Sequence, residues 1–79
     1  MSPTPLRKNG FRYFFFSRAE TRLHVHIEGA EGEAKFWLEP HVALAWHSGL
    51  RTGHLADITH TVEENADAFR TAWHQHFGS

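Results

Sequence analysis

The chain contains no cysteine among its 79 residues, and it has only three prolines and one methionine. Disulfide-bonded scaffolds, zinc fingers built on thiolates and cysteine nucleophiles are therefore excluded. It also lacks any apolar run near the ~18–20 residues that a membrane span needs, and residues 1–9 lack the apolar centre of a signal peptide. We expect a single small domain over residues 1–79, located in the cytoplasm and away from membranes.

An excess of either charge is also absent, since eight Lys and Arg residues stand against nine Asp and Glu residues. The charge is nevertheless unevenly distributed, because residues 1–22 carry net +4 and residues 23–79 carry net −5. A positive end can attract an anionic partner such as RNA, although nucleic-acid-binding proteins usually carry a larger basic excess. RNA is therefore an alternative partner, ranked behind a small protein.

The first two thirds of the chain have strand patterns. Pro3 and Pro5 withhold backbone donors and predict an extended, partly disordered arm over residues 1–9. The aromatic run over residues 11–17 predicts a first strand. Alternation of apolar and polar residues predicts strands over residues 23–28 and 33–38, and residues 42–46 predict a short fourth strand or, since Ala and Leu favour it, a short helix.

The glycines of residues 29–32 predict a hairpin turn that fixes the register of the two central strands. The predicted pairs, counted from the turn outwards, are Glu28 with Glu33, Ile27 with Ala34, His26 with Lys35, Val25 with Phe36, and His24 with Trp37. The apolar residues then face the core and the histidines face outwards. On the fourth strand the same counting places Leu44 opposite Phe36, and Trp46 opposite Ala34.

The last third of the chain has a helical period. Apolar residues recur at steps of three and four, at Leu55, Ile58, Val62, Ala66, Phe69, Trp73 and Phe77. Thr52 is suited to be the N-cap and Gly78 to end the helix. A helix of ~25 residues would measure ~37 Å, so we expect it to extend past the short strands or to break near residue 65.

These elements predict an α+β fold, in which an N-terminal antiparallel sheet of three or four strands packs one face against a C-terminal amphipathic helix. The opposite face would carry the most distinctive residues. His24 and His26 lie two apart on one strand, so their imidazoles project from the same side. Beside Lys35 they could act as base and acid in a metal-independent ribonuclease, and these three residues are the candidate catalytic set.

The same face allows two other hypotheses. His24, His26 and Glu28 could hold a divalent metal, but two imidazoles alone make an incomplete zinc site, so we expect no cofactor. Exposed aromatic side chains are efficient anchors for a protein partner. The candidate residues of a partner- or ligand-binding surface are Arg12, Tyr13, Glu28 and Trp37. A second copy of the chain could also cover this face, which leaves a homo-oligomer open.

The order of motifs resembles that of a known family. The residues concerned are Arg12-Tyr13-Phe14-Phe15-Phe16-Ser17, His24-Val25-His26, Gly32-Glu33-Ala34-Lys35-Phe36-Trp37-Leu38, Val62-Glu63-Glu64-Asn65 and Ala72-Trp73-His74-Gln75-His76-Phe77. In these motifs the chain resembles the small bacterial family known as domain of unknown function 4160. The resemblance implies no established activity.

What the resemblance does imply is a compact two-gene module with another small protein, which favours a toxin–antitoxin-like role. In such a module the aromatic and histidine face, or the acidic side of the helix, would meet the partner. We therefore rank a protein-interaction component first, a small ribonuclease second, and a metal- or ligand-binding protein third.

Overall fold

The computed structural model describes residues 5–15 and 22–77. Five strands precede one helix: β1 (Leu6–Lys8), β2 (Phe11–Phe14), β3 (His24–Gly29), β4 (Gly32–Trp37), β5 (Ala43–Ser48) and α1 (Thr52–Phe77). The strands form one antiparallel sheet in the order β1-β2-β3-β4-β5. The predicted α+β class is confirmed, with five strands in the sheet rather than three or four.

The additional strand is β1, which lies in the segment predicted to be an arm. Asn9 and Gly10 join β1 to β2 with φ angles of 53° and 83°, both positive as in a type I′ turn. Residues 6–8 are extended, as predicted, but they pair with β2 instead of forming an arm. Both prolines precede this strand and leave its backbone donors available for pairing. Residues 1–4 lie outside the described residues, as do residues 16 and 17 of the predicted first strand. Within the described residues this strand ends at Phe14.

The central hairpin has the predicted register. β3 and β4 pair Glu28 with Glu33, His26 with Lys35, and His24 with Trp37. The alternate side chains Val25, Ile27, Ala34 and Phe36 are at most 1% exposed and belong to the core. Alternation of residue type and a glycine turn were therefore sufficient to fix both the pairing and the buried face.

The last strand departs from simple counting. Leu44 lies opposite Phe36 as predicted, but the register shifts between Lys35 and Phe36, so Trp46 lies opposite Lys35 rather than Ala34. Ala45 is the extra residue of a β-bulge. Because side chains alternate along a strand, a shift of one residue moves Trp46 from the side of the sheet that faces the helix to the other side.

The helix is continuous from Thr52 to Phe77, which is 26 residues or ~39 Å at ~1.5 Å per residue. The predicted alternative of a break near residue 65 is wrong. Asn65 Nδ2 donates a hydrogen bond to the carbonyl oxygen of Thr61 at 2.8 Å, within the helix, and Ala66 is buried. Both residues are therefore accommodated in the helix, and the predicted stop at Gly78 lies outside the described residues.

The apolar stripe of α1 packs on one face of the sheet. Ile58, Val62, Phe69 and Trp73 join the core formed by the inward side chains of the strands. Arg70 Nε donates a hydrogen bond to the carbonyl oxygen of Leu38 at 2.9 Å, which ties the helix to the residue after β4. No helix within the described residues is long and apolar enough to cross a membrane.

Tyr13 is part of this core and is only 1% exposed. Its ring stacks on that of Phe69, with the centroids 6.1 Å apart. Burial raises the pKa of the Tyr13 phenol above its ordinary value of 10.0, and the charge of Asp57 adds to this, while a hydrogen bond with Thr61 opposes it. The prediction that Tyr13 lies on a binding surface is therefore wrong, because β2 turns its side chain towards the helix.

This burial predicts an alkaline loss of stability. The folded protein favours the neutral phenol, so the contribution is complete below the unfolded-state pKa near ~10 and is lost as pH rises through the higher folded-state pKa. The chain has a single tyrosine, so Tyr13→Phe removes the only phenol of the protein, together with its hydrogen bond to Thr61. Urea denaturation between pH 8 and pH 11 should show a smaller alkaline decline in the variant, and equal declines would contradict the assignment.

Candidate functional site

The face of the sheet opposite α1, here called the outer face, collects the polar and aromatic side chains of the strands. Cross-strand pairing aligns them in two rows. The aromatic row consists of Phe14, His26, Lys35 and Trp46, each opposite the next on the neighbouring strand. The charged row consists of Arg7, Arg12, Glu28 and Glu33. Each row crosses four strands and brings together residues far apart in sequence.

Ring contacts connect the aromatic row. His26 stacks on Phe14 with the centroids 5.7 Å apart, and it meets Trp46 edge-on at 6.3 Å. These three side chains, with Glu28 and Glu33, line a small cavity of about 230 Å³. The cavity is therefore apolar on one side and acidic on the other, and His26 and Trp46 lie at its border.

His24 does not share the exposure of His26. It is 2% exposed, and its ring lies 5.0 Å from Trp73 of α1 and 6.0 Å from Trp37 of β4, measured between centroids. Its Nδ1 donates a hydrogen bond to the carbonyl oxygen of Arg22 at 2.9 Å, since a carbonyl can only accept. His24 therefore packs between the sheet and the helix end rather than lining the cavity.

Lys35 is also buried, at 7% exposure. Its Nζ lies 4.5 Å from the centre of the Trp37 ring, and the Arg22 guanidinium lies 4.2 Å from the centre of the same ring. Cations at these distances are attracted by the electron-rich ring face. Trp37 is thus half-buried beneath two cations instead of standing open to a partner.

The burial of His24 and Lys35 determines which of the candidate catalytic residues a substrate could reach. The rings of His24 and His26 are 5.4 Å apart, so the sequence placed them together correctly. A general acid or base must nevertheless come within hydrogen-bond reach of the reacting group. His24 and Lys35 are buried, so His26 alone of the three residues borders an accessible cavity.

The metal hypothesis required Glu28 as a third ligand. Instead, Glu28 Oε1 lies 3.5 Å from Arg12 Nη2 in an ion pair. Within residues 5–15 and 22–77, no group of three His, Asp or Glu side chains is arranged to hold a metal ion. The arrangement around the two histidines is therefore aromatic packing rather than a ligand cluster.

Of the predicted binding surface, Arg12 and Glu28 are accessible, with side-chain exposures of 35% and 58%. The sequence interpretation missed the two exposed large apolar side chains of the described residues, Leu44 at 42% and Trp46 at 40%. Both lie on β5, at one edge of the sheet. A signal was present in the run Ala43-Leu44-Ala45-Trp46, which is apolar at every position. A strand with one buried face needs apolar residues only at alternate positions, so some of these side chains had to be exposed.

Comparison with known proteins gives one match. The model of a family described as Domain of unknown function (DUF4160) matches residues 10–74 of the 79-residue chain. The matched segment runs from the Asn9–Gly10 turn almost to the end of α1, so it includes the whole aromatic row and all of the charged row except Arg7. No curated protein and no solved structure gives a significant match.

Proposed function

Since this chain belongs to the family described as domain of unknown function 4160, we propose that it is the protein-interaction component of a two-gene, toxin–antitoxin-like pair. Its partner would be a small protein encoded beside it, as the family resemblance implies. The observation that carries the proposal is the edge strand β5, which displays the two exposed large apolar side chains of the described residues.

An edge strand offers one unpaired row of backbone N–H and C=O groups. Natural proteins usually protect such edges with proline or charged residues, but β5 reads Ala-Leu-Ala-Trp-His-Ser and contains neither proline nor Asp, Glu, Lys or Arg. Among the described residues, only β4 pairs with it. The backbone of β5 is thus suited to receive an additional strand from a partner, a recognised mode of peptide recognition.

The bulge at Ala45 gives this edge its two-sided character. Leu44 lies opposite the core residue Phe36, and Trp46 lies opposite Lys35 of the aromatic row. A partner strand beside β5 would therefore cover Leu44 on the helix side of the sheet and Trp46 on the outer face. Backbone pairing would supply affinity, and the two apolar side chains would supply specificity.

The test is the affinity for the product of the adjacent gene, measured by isothermal titration calorimetry after co-expression and separation. Trp46→Ala is expected to weaken binding by at least tenfold, because tryptophan is the side chain most often found as an interface hot spot. Leu44→Ala should have a smaller effect in the same direction. Both side chains are exposed and lie outside the buried core, so the circular dichroism spectra of the variants should match that of the unmodified chain.

Glu63→Ala, on the exposed side of α1, is the matched control and should leave the affinity unchanged. The proposal fails if the adjacent gene product does not bind the unmodified chain. It also fails if binding occurs and neither β5 substitution weakens it, since the contact would then lie elsewhere. A loss with Glu63→Ala alone would point to the acidic side of the helix instead.

A further inference from the structure

A second cavity, of about 770 Å³, lies beside the β1–β2 hairpin and is far larger than the cavity at Trp46. Its charged lining residues are Arg7, Lys8, Arg12 and Glu28. Three of these are cationic and one is anionic. We propose that this cavity binds the backbone phosphates of a single-stranded nucleic acid, at a site distinct from the β5 edge.

The pairing of β1 with β2 is the main support for this proposal. Arg7 and Arg12 are direct cross-strand partners in the charged row, so two guanidinium groups project from the same face at neighbouring positions. Like charges opposite one another destabilise a sheet. An anion bound between the two arginines would offset this repulsion, and a guanidinium pair can hold one phosphate through several parallel hydrogen bonds.

The arginines are also arranged for binding. The Arg12 guanidinium lies 4.0 Å from the centre of the Phe14 ring and 3.5 Å from Glu28, contacts that limit the positions it can take. Arg7 is exposed, and the ion pairs found among the described residues do not include it. Lys8 also lines the cavity, but its Nζ donates a hydrogen bond to Thr61 Oγ1 of α1 at 3.2 Å. Its charge therefore lies on the helix side of the sheet, and the two arginines are the proposed phosphate contacts.

The size of the cavity and the distribution of charge favour a polynucleotide over a small anion. A single phosphate would fill only a small part of 770 Å³. Glu28 lines this cavity and also the smaller one at Phe14, His26 and Trp46, so the two adjoin. A nucleotide whose phosphate lies between the arginines would therefore extend its base towards the half-buried ring of His26 and the exposed ring of Trp46. Stacking of bases on aromatic side chains is common in proteins that bind single-stranded nucleic acids.

The experiment measures binding of a fluorescein-labelled RNA of twelve uridines by fluorescence anisotropy at several salt concentrations. Arg7→Glu is expected to weaken binding at least tenfold and to raise the melting temperature, because it replaces a like-charged cross-strand pair with an opposite-charged one. A loss of binding together with a gain in stability excludes misfolding as its cause. Arg7→Ala should reduce the slope of log K against log salt by ~0.7, the value for one phosphate contact on a single strand.

Arg51→Glu is the matched control, since it makes the same change of charge at an exposed position outside the cavity. It should weaken binding much less than Arg7→Glu. If Arg7→Glu and Arg51→Glu weakened RNA binding equally, the RNA would be attracted by net charge alone and the proposal would be overturned. The absence of RNA binding at low salt would also overturn it. Binding of inorganic pyrophosphate without RNA would overturn the polynucleotide assignment, whereas a DNA of twelve thymidines binding like RNA would support recognition of backbone phosphate.

Discussion

Replacing His24 with alanine is expected to lower the free energy of unfolding by about 2–4 kcal/mol, within the range for removing large side chains from a core. His24 is 2% exposed and its ring contacts Trp37 and Trp73. The substitution removes these contacts and deprives the Arg22 carbonyl oxygen of a hydrogen-bond donor. Urea denaturation followed by tryptophan fluorescence measures the effect, since both neighbouring rings are reporters.

The matched control is His26→Ala, two residues along the same strand. His26 is half-buried at the border of the small cavity, so its loss should cost about 1 kcal/mol, a typical value for a single substitution. His24→Phe should fall between the two, because it keeps a ring among the tryptophans but cannot donate to Arg22. Equal effects of the two alanine substitutions would contradict the distinction between a packing histidine and an accessible one.

The central hairpin shows what a sequence can predict in this fold. Residues from His24 to Glu28 alternate strictly, and the glycines at 29 and 32 bound a short turn. A wrong register by one residue would bury histidine and lysine side chains in the helix-facing core, so only one register satisfies the pattern. The amphipathic stripe of α1 is equally clear, because seven apolar residues follow the helical period from Leu55 to the end of the helix at Phe77.

Two features of the sheet could not be predicted by counting residues from the turns. The bulge at Ala45 depends on how β5 twists against β4, and no local residue marks it, since alanine is common in both regular and irregular strands. The strand β1 had a local mark in Asn9–Gly10, but it is only three residues long. A strand so short gains stability from its neighbour rather than from its own sequence pattern.

The sequence predicted that His24 and His26 lie close together, but it did not predict which of the two is exposed. Alternation placed His24 and His26 on one face, and their rings do lie 5.4 Å apart. It could not indicate that Trp73, 49 positions after His24, would contact His24 and help bury it. Exposure is set by tertiary neighbours, so a residue pattern that suggests a catalytic pair can equally describe one packing residue and one surface residue.

A single methyl group at Gly32 is expected to cost about 3 kcal/mol, near the upper end of what overpacking usually costs. A Cβ atom there would overlap the carbonyl oxygen of Ser48 and lie 2.9 Å from the carbonyl carbon of Gly49. These are backbone atoms, so they cannot rotate away as a flexible side chain could. Relief requires the end of β5 to move from β4, which breaks the pairing of Glu33 with Ser48. Thermal and urea denaturation of Gly32→Ala measure the loss.

Gly53→Ala is the matched control, because a Cβ atom at that position of α1 meets no atom within 4 Å. Alanine is preferred to glycine in a helix by roughly 0.5–1 kcal/mol, so the same methyl group should stabilise the protein there. A loss of stability with Gly32→Ala and a gain with Gly53→Ala would show that the loss comes from local contacts and not from replacing glycine with alanine as such. If the partner adds a strand to β5, Gly32→Ala should also weaken that complex at temperatures where the variant is folded, although it alters no residue of β5.

If the stability of Gly32→Ala lay within 0.5 kcal/mol of that of the unmodified chain, which is the scatter of neutral substitutions, the turn at Gly32 would not hold this edge in place.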